Sequence, residues 1–322
     1  MENIKDQLVS IVVPVFNRAD YLPATLASLH AQDYRPLQVV LVDNGSTDGS
    51  LKVCEDFKDR YSSDDFDVMV ATEKRPGAAA ARNCGLSLCR AEIVAFFDSD
   101  DEMSADFISS MFKVLTSDPR NDVAICRTRL IFPDGMEKVR DFWANATAAH
   151  QILAGIITTV SFLAYKSFLY DIGAWNDSVR TWDDYELGVR ILMYAHRVEW
   201  VEKTFHRIHN HTISITGESF TATLNGILTA LQCVGDDIDK YASASDTGKK
   251  GLKQMRVALF FRYMLLKGWL LREGNRKDAN RVGLLASDIR CGGCCRLVGY
   301  LMSFLTAHGI RGAWRIGKAI LN

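Results

Sequence analysis

The chain of 322 residues has only 6 prolines and 22 glycines, which excludes collagen-like and low-complexity architectures. It lacks a stretch that reads as a transmembrane helix. The longest uncharged run, from Phe142 to Tyr165, carries Asn145, Thr147, His150, Gln151, Thr158, Thr159 and Ser161. Those polar groups make insertion costly, so the run is expected to form a buried or cleft-lining helix. No signal peptide is legible, because the apolar run from Leu8 to Phe16 is short and broken by Pro14. The 8 cysteines lack the regular spacing of a small secreted domain, so they read as reduced thiols of a cytoplasmic protein. Cys291-Gly-Gly-Cys294-Cys295 has zinc-like spacing but no second CxxC or spaced Cys/His pair nearby, and a structural role is expected.

Charge of one sign is scarce at each end in turn. Residues 251–322 hold 13 Lys and Arg against Glu273, Asp278 and Asp288, a net charge of +10. The whole chain carries −1, which leaves −11 for residues 1–250. Such asymmetry points to a surface or polyanion contact made by one end only. No nucleic-acid-binding motif accompanies the basic tail, and no nucleic-acid partner is expected.

With 48% hydrophobic and 24% charged residues, the chain can bury a large core. Its first 130 residues alternate short β-rich runs with helical patterns, the signature of a parallel sheet with crossover helices. Strands are expected at Val9–Val15, Gln38–Asp43, Asp67–Ala71 and Glu92–Phe97. Helices are expected at Tyr21–His30, up to about Tyr61, at Ala78–Leu88 and at about Ala105–Thr116. A hairpin is expected to pair Val123–Phe132 with Met136–Phe142 around Pro133-Asp-Gly135. Helices near Ala148–Ile157 and Tyr185–Ala195 and strands near Val198–Glu202 and Phe205–Ile208 follow. From Ser219 the pattern is helical throughout. The expected division is residues 1–215 as a nucleotide-sugar-binding and catalytic domain and 216–322 as a helical, basic C-terminal region.

Asp98-Ser99-Asp100 sits where an apolar strand leaves the sheet, and open parallel sheets bind ligands at the carboxyl ends of their strands. Residues i and i+2 of an extended segment share a side, so Asp98 and Asp100 are expected to face the cleft together. Paired carboxylates beside a diphosphate call for a hard divalent cation, Mn²⁺ or Mg²⁺. Asp43 ends the second strand, and Pro14-Val-Phe16-Asn17-Arg18 ends the first. These segments gather at the same sheet edge.

Val13-Pro-Val-Phe-Asn17, Asp43-Asn-Gly-Ser-Thr-Asp48, Gly77-Ala-Ala-Ala-Ala-Arg82-Asn-Cys-Gly85 and Phe97-Asp-Ser-Asp-Asp101, in that order, resemble the family 2 glycosyltransferases of the GT-A fold. The resemblance implies an α/β fold: a Rossmann-like, mostly parallel sheet flanked by helices, with a helical C-terminal region. It implies an inverting transferase that takes a sugar from a nucleotide donor, most often UDP-linked, to a glycan or lipid-linked acceptor in cell-surface polysaccharide synthesis. Carried over by motif, Asp43 contacts the uracil, Asp98 the ribose and Asp100 the metal. Pro14, Phe16, Asn17, Gly77, Arg82 and Ser99 complete the nucleotide-sugar site. Thr181-Trp-Asp-Asp-Tyr-Glu-Leu-Gly188 resembles the family's acidic pair at a helix start, which assigns the general base to Asp184. Asp183 has helix capping and acceptor binding as alternatives. Phe205-His-Arg-Ile-His-Asn-His211 resembles a segment that puts His209 near the diphosphate or metal with Arg207 nearby, and gives His206 and His211 lesser weight.

A sugar-nucleotide pyrophosphorylase is disfavoured by the absence of a Gly-rich, basic loop after the first strand. A catalytically degenerate GT-A module recruited to a glycan-assembly complex is the alternative from another class. The basic tail interleaves aromatic residues such as Phe260, Trp269, Tyr300, Phe304 and Trp314, which suits the anionic inner face of a cell membrane as well as an ordinary helical subdomain.

Overall fold

The computed structural model describes residues 7–209, 219–244 and 249–321. In chain order the strands are β1 Val9–Val15, β2 Leu37–Asp43, β3 Phe66–Thr72, β4 Ile93–Phe96, β5 Glu102–Met103, β6 Val123–Arg127, β7 Arg129–Ile131, β8 Glu137–Val139, β9 Phe162–Tyr165, β10 Val198–Thr204 and β11 His206–His209. The helices are α1 Leu22–His30, α2 Ser50–Tyr61, α3 Ala78–Leu88, α4 Phe107–Leu115, α5 Ala148–Ala154, α6 Lys166–Asp171, α7 Asp183–Tyr194, α8 Phe220–Ala244, α9 Lys249–Arg272, α10 Arg276–Ser287, α11 Gly293–Ala307 and α12 Trp314–Leu321.

The described chain packs as two compact units. The first takes in 7–145, 157–180 and 194–209, and the second 146–156, 181–193 and the residues from 219 onward. The expected boundary at 215 lies outside the described residues. What differs from the expectation is that two earlier segments belong with the C-terminal helices. Ile152 and Leu153 of α5 and Tyr185 and Val189 of α7 bury their apolar faces in the same core as Leu231, Phe261 and Leu266.

Among the described residues of the first unit, seven strands form one sheet in the order β10-β6-β9-β4-β1-β2-β3. β1 and β2 are buried along their whole length and mostly apolar on both faces, as central parallel strands must be, and their buried polar residues Ser10 and Gln38 pair, Ser10 Oγ donating to Gln38 Oε1 at 2.7 Å. β1 runs parallel to β2 and β4, pairing Val9 with Leu37 and with Ile93. Pro14 breaks no ladder bond. Its nitrogen points the same way as that of Val12, toward β4, and β4 ends opposite Val12. Gly85 of α3 lets that helix lie close on the sheet, since a Cβ there would stand 2.3 Å from Val12 Cγ1.

Three expectations need correction here. The uncharged run from Phe142 to Tyr165 is not one helix, and the helix expected over Ala148–Ile157 stops at Ala154. Gly155, left-handed at φ 61°, closes α5. The chain continues through a 3₁₀ turn at Thr159–Ser161 into β9, which inserts antiparallel between β4 and β6. The strand expected over Val123–Phe132 divides at Thr128: β6 stays in the large sheet, while β7 joins the order β5-β11-β7-β8. The hairpin itself forms, with Arg129 opposite Val139 and Gly135 at φ 80° in its turn.

The second unit is helical. α9 is apolar nearly all round from Val257 to Leu271 and forms its centre. α9 and α11 meet through glycines: a Cβ at Gly299 would stand 2.4 Å from Phe260, and one at Gly268 would stand 2.6 Å from the Ser303 carbonyl oxygen.

Candidate active site

The carboxyl ends of β1, β2 and β4 bring the predicted residues of the first unit together through a hydrogen-bonded lattice of loops. Asn17 follows β1 in the left-handed region at φ 51°, which an asparagine tolerates better than most residues. Its backbone N–H donates to Ser46 Oγ at 3.0 Å, and its Oδ1 accepts from Thr47 N at 2.8 Å. Asp43 at the end of β2 is buried and accepts from the backbone N–H groups of Gly45 (3.1 Å) and Ser46 (3.2 Å). Asn44 donates to the carbonyls of Glu73 and Arg75, and its Oδ1 accepts from Gly77 N at 2.7 Å. Gly77 opens α3 at φ 112°, where a side chain would be strained and a Cβ would stand 2.2 Å from Arg180 Nη1. Phe16, beside this lattice, is 55% exposed.

After β4 the chain does not stay extended. Asp98-Ser99-Asp100 enters a turn in which Asp101 N approaches Asp98 O at 3.4 Å. The i, i+2 argument for a shared facing therefore fails, and arginines hold the two carboxylates instead. Arg82 Nη2 donates to Asp98 Oδ1 at 2.8 Å, and Arg18 Nε donates to Asp100 Oδ2 at 3.0 Å. The Arg82 guanidinium also lies 4.4 Å above the Trp175 ring. Ser99 is buried beside them.

Asp101, the last residue of the Phe97–Asp101 motif, belongs to the same turn. Its carboxyl is buried, and burial together with the charges of Asp98 and Asp100 holds its pKa well above the usual carboxylate range. The pairing of β11 with β5 brings His209 to the same place. Its backbone N–H donates to Asp101 Oδ1 at 2.9 Å, and its Nε2 lies 2.9 Å from Glu102 Oε1. Arg207 reaches Glu137 at 3.7 Å. His206 is buried against Phe97 and Phe107. His211 lies outside the described residues.

Among the described residues no three His, Cys, Asp or Glu side chains converge into an all-protein metal cage. A hard divalent cation that serves a diphosphate commonly takes one or two carboxylates and completes its shell with phosphate oxygens and water. The acidic, oxygen-only donors Asp98 and Asp100 suit that mode.

Asp183 and Asp184 belong to the second unit, where they start α7. Asp183 Oδ1 accepts from Asp184 N at 3.0 Å, and Asp184 Oδ1 accepts from Tyr185 N at 2.7 Å. Trp182, just before them, adopts φ 65°, an uncommon conformation for an aromatic residue. Arg262 of α9 stacks over its ring at 4.2 Å and donates to the Leu153 carbonyl at 3.1 Å. Arg18 and Asp101 stood inside motifs already legible in the sequence. Trp175 and Arg262 carried no local signal.

The comparisons with known proteins agree with this architecture. Residues 10–170 match the family described as Glycosyl transferase family 2. The minor teichoic acid biosynthesis protein GgaA of Bacillus subtilis is 30% identical over 234 residues, covering 66% of this chain and 50% of GgaA. The glycosyltransferase GlyA of Streptococcus pneumoniae is 32% identical over 120 residues, covering 37% of this chain and 16% of GlyA. The match thus spans half or less of these relatives' own lengths. Among solved structures, the S. aureus TarS 1-349 fragment in complex with UDP superposes with a TM-score of 0.64 at 15% identity, covering 98% of this chain and 91% of that one. The mannosyltransferase PcManGT of Pyrobaculum calidifontis, in complex with GDP-Man and Mn²⁺, gives 0.60 at 16% identity, covering 97% and 86%. At such identities the likeness is one of fold, and the family match over half of the chain makes this protein a family 2 glycosyltransferase of the GT-A fold.

Proposed function

We propose that the chain is a metal-dependent inverting glycosyltransferase that moves one sugar from a nucleotide-linked donor, UDP-linked by preference, to a glycan or lipid-linked acceptor in cell-surface polysaccharide synthesis. The observation that carries this reading is the gathering of Asp43, the Arg82–Asp98 pair and the Arg18–Asp100 pair at one sheet edge in a family 2 chain. The UDP bound to the TarS fragment and the GDP-Man and Mn²⁺ bound to PcManGT support the donor and the metal. The name of GgaA supports the polysaccharide setting. The protein would work in the cytoplasm, peripheral on the inner face of the cell membrane.

In this reading Asp43 accepts a uracil N–H with the lone pairs its own turn leaves over, and Asp98 binds the ribose hydroxyls. Pro14, Phe16, Asn17, Gly77, Arg82 and Ser99 shape the surrounding wall. Asp100 and His209 would hold Mn²⁺ or Mg²⁺, which when bound offsets the charge of the departing diphosphate. Asp184 takes the acceptor hydroxyl's proton as that oxygen attacks the anomeric carbon, a contribution of roughly 10² to 10⁴ in rate. Asp183 orients the acceptor.

The test is a thermal-shift panel of the purified protein with UDP, GDP, CMP and dTDP, each with Mn²⁺ and with a chelator. Ligand at 100 times its dissociation constant stabilises a protein by about 2.7 kcal/mol, a shift of several degrees. A metal-dependent rise with UDP is expected. No rise with any of the four nucleotides would sink the donor-site assignment.

A further inference from the structure

The outer face of α11 is apolar and open to solvent. Buried Gly299, Met302, Ser303 and Thr306 mark the side that meets the second core. On the opposite side, at helical spacing, stand Leu297 (72% exposed), Tyr300, Leu301 and Phe304 (57% exposed). The helix carries one charged residue, Arg296, and its Nη2 donates to the carbonyls of Ser287 and Ile289 at the end of α10. The outer stripe therefore has no charge of its own. Exposed Leu284 and Ile310 add to the apolar surface of the same helical unit.

The charge around this helix selects an occupant. From Ile289 to the end of the sequence there are five basic residues, Arg290, Arg296, Arg311, Arg315 and Lys318, and no Asp or Glu. Arg290 lies just before α11, and Arg311 and Arg315 lie just after it; all three are exposed. A second copy laid on this stripe would bring the same cationic residues against their own kind, which costs affinity. An anionic bilayer satisfies both features: large apolar side chains enter the headgroup and acyl boundary, while flanking arginines meet phosphate.

We propose that the outer face of α11, through Leu297, Tyr300, Leu301 and Phe304 with Arg290, Arg311 and Arg315, docks this protein on an anionic phospholipid surface. The proposed function supplies a reason for the contact, a lipid-linked acceptor, and the binding itself is measured without any sugar.

The test is co-sedimentation of the full chain with vesicles of phosphatidylcholine alone and of phosphatidylcholine with phosphatidylglycerol. Binding is expected only to the anionic vesicles and is expected to weaken as salt rises. Leu297→Ser with Phe304→Ser, both at exposed positions, is expected to weaken it at least tenfold at an unchanged melting temperature. Each of Arg290→Gln, Arg311→Gln and Arg315→Gln is expected to weaken it roughly fivefold. Equal binding to both vesicle types, no binding to either, or unaltered binding of the double variant would overturn the proposal. So would a dimer in light scattering that the double variant dissociates while vesicle binding stays unchanged. The donor site is read separately, since the nucleotide-dependent thermal shift does not involve these residues.

Discussion

Arg82 of α3 and Asp98 after β4 form an ion pair of 2.8 Å, with the arginine side chain almost wholly buried and stacked on Trp175. A helix, a strand end and a residue distant in sequence are thereby fixed to one another at the proposed ribose position. Trp175 is itself pinned, because Asn83, next to Arg82, donates to its carbonyl at 2.8 Å and accepts from its N–H at 3.1 Å.

Arg82→Lys keeps a positive charge but loses the planar fork and the stacking surface. The expected outcome is about tenfold weaker UDP binding by titration calorimetry. Arg82→Met, which leaves Asp98 without this partner, is expected to cost ~2 kcal/mol of stability by urea denaturation. Unchanged UDP affinity in both variants would remove Asp98 from the nucleotide site.

Asp184→Asn is expected to lower kcat by roughly 10² to 10⁴ while the affinity for UDP stays as it was. Asp183→Asn is expected to act mainly on the acceptor KM. Near-normal turnover of the Asp184 variant, measured with donor and acceptor both saturating, would reassign the general base.

His206 contributes to the acid sensitivity of the first unit. Burial among Phe97, Phe107 and Phe205 lowers its pKa from 6.5 to about 3. The folded value lies below the unfolded one, so the neutral imidazole's contribution is complete above pH 6.5. It is lost progressively as the pH falls from there toward 3. His206→Phe is expected to flatten this acid limb. Melting temperatures of the two proteins, compared from pH 7 to pH 4, should diverge in favour of the variant as the pH drops. Parallel curves would show that the histidine is already charged in the folded state.

Gly85→Ala places a Cβ 2.3 Å from Val12 Cγ1 and 3.2 Å from Val42 Cγ2. α3 must then lift from β1 and β2, at an expected cost of about 1–3 kcal/mol. The check is the urea midpoint, with the slope of the transition unchanged. A midpoint equal to that of the parent would mean that the helix shifts without penalty.

The strands β1, β2 and β4 and helix α3 were legible in the sequence because burial on both faces enforces continuous apolar runs and small residues mark close packing. α3 spans Ala78–Leu88 as its pattern indicated. The turn at Gly135 was legible because few residues other than glycine adopt its backbone angle. β9 was not. A four-residue strand is too short to show a period, and its partners β4 and β6 lie far upstream.

By itself, the sequence determined the parallel sheet, the acidic residues at its carboxyl edge, the helical basic tail and the family to which they point. Local propensity and hydrophobic period are properties of neighbouring residues, and they survive without the fold. Only the tertiary structure decided that Arg82 holds Asp98, that Arg18 holds Asp100, and that β11 brings His209 to Asp101 and Glu102. It also decided that α5 and α7 bury their faces with the C-terminal helices rather than with the sheet that precedes them. Ion pairs and shared cores between residues tens of positions apart leave no periodic trace, because each is set by the packing of whole elements.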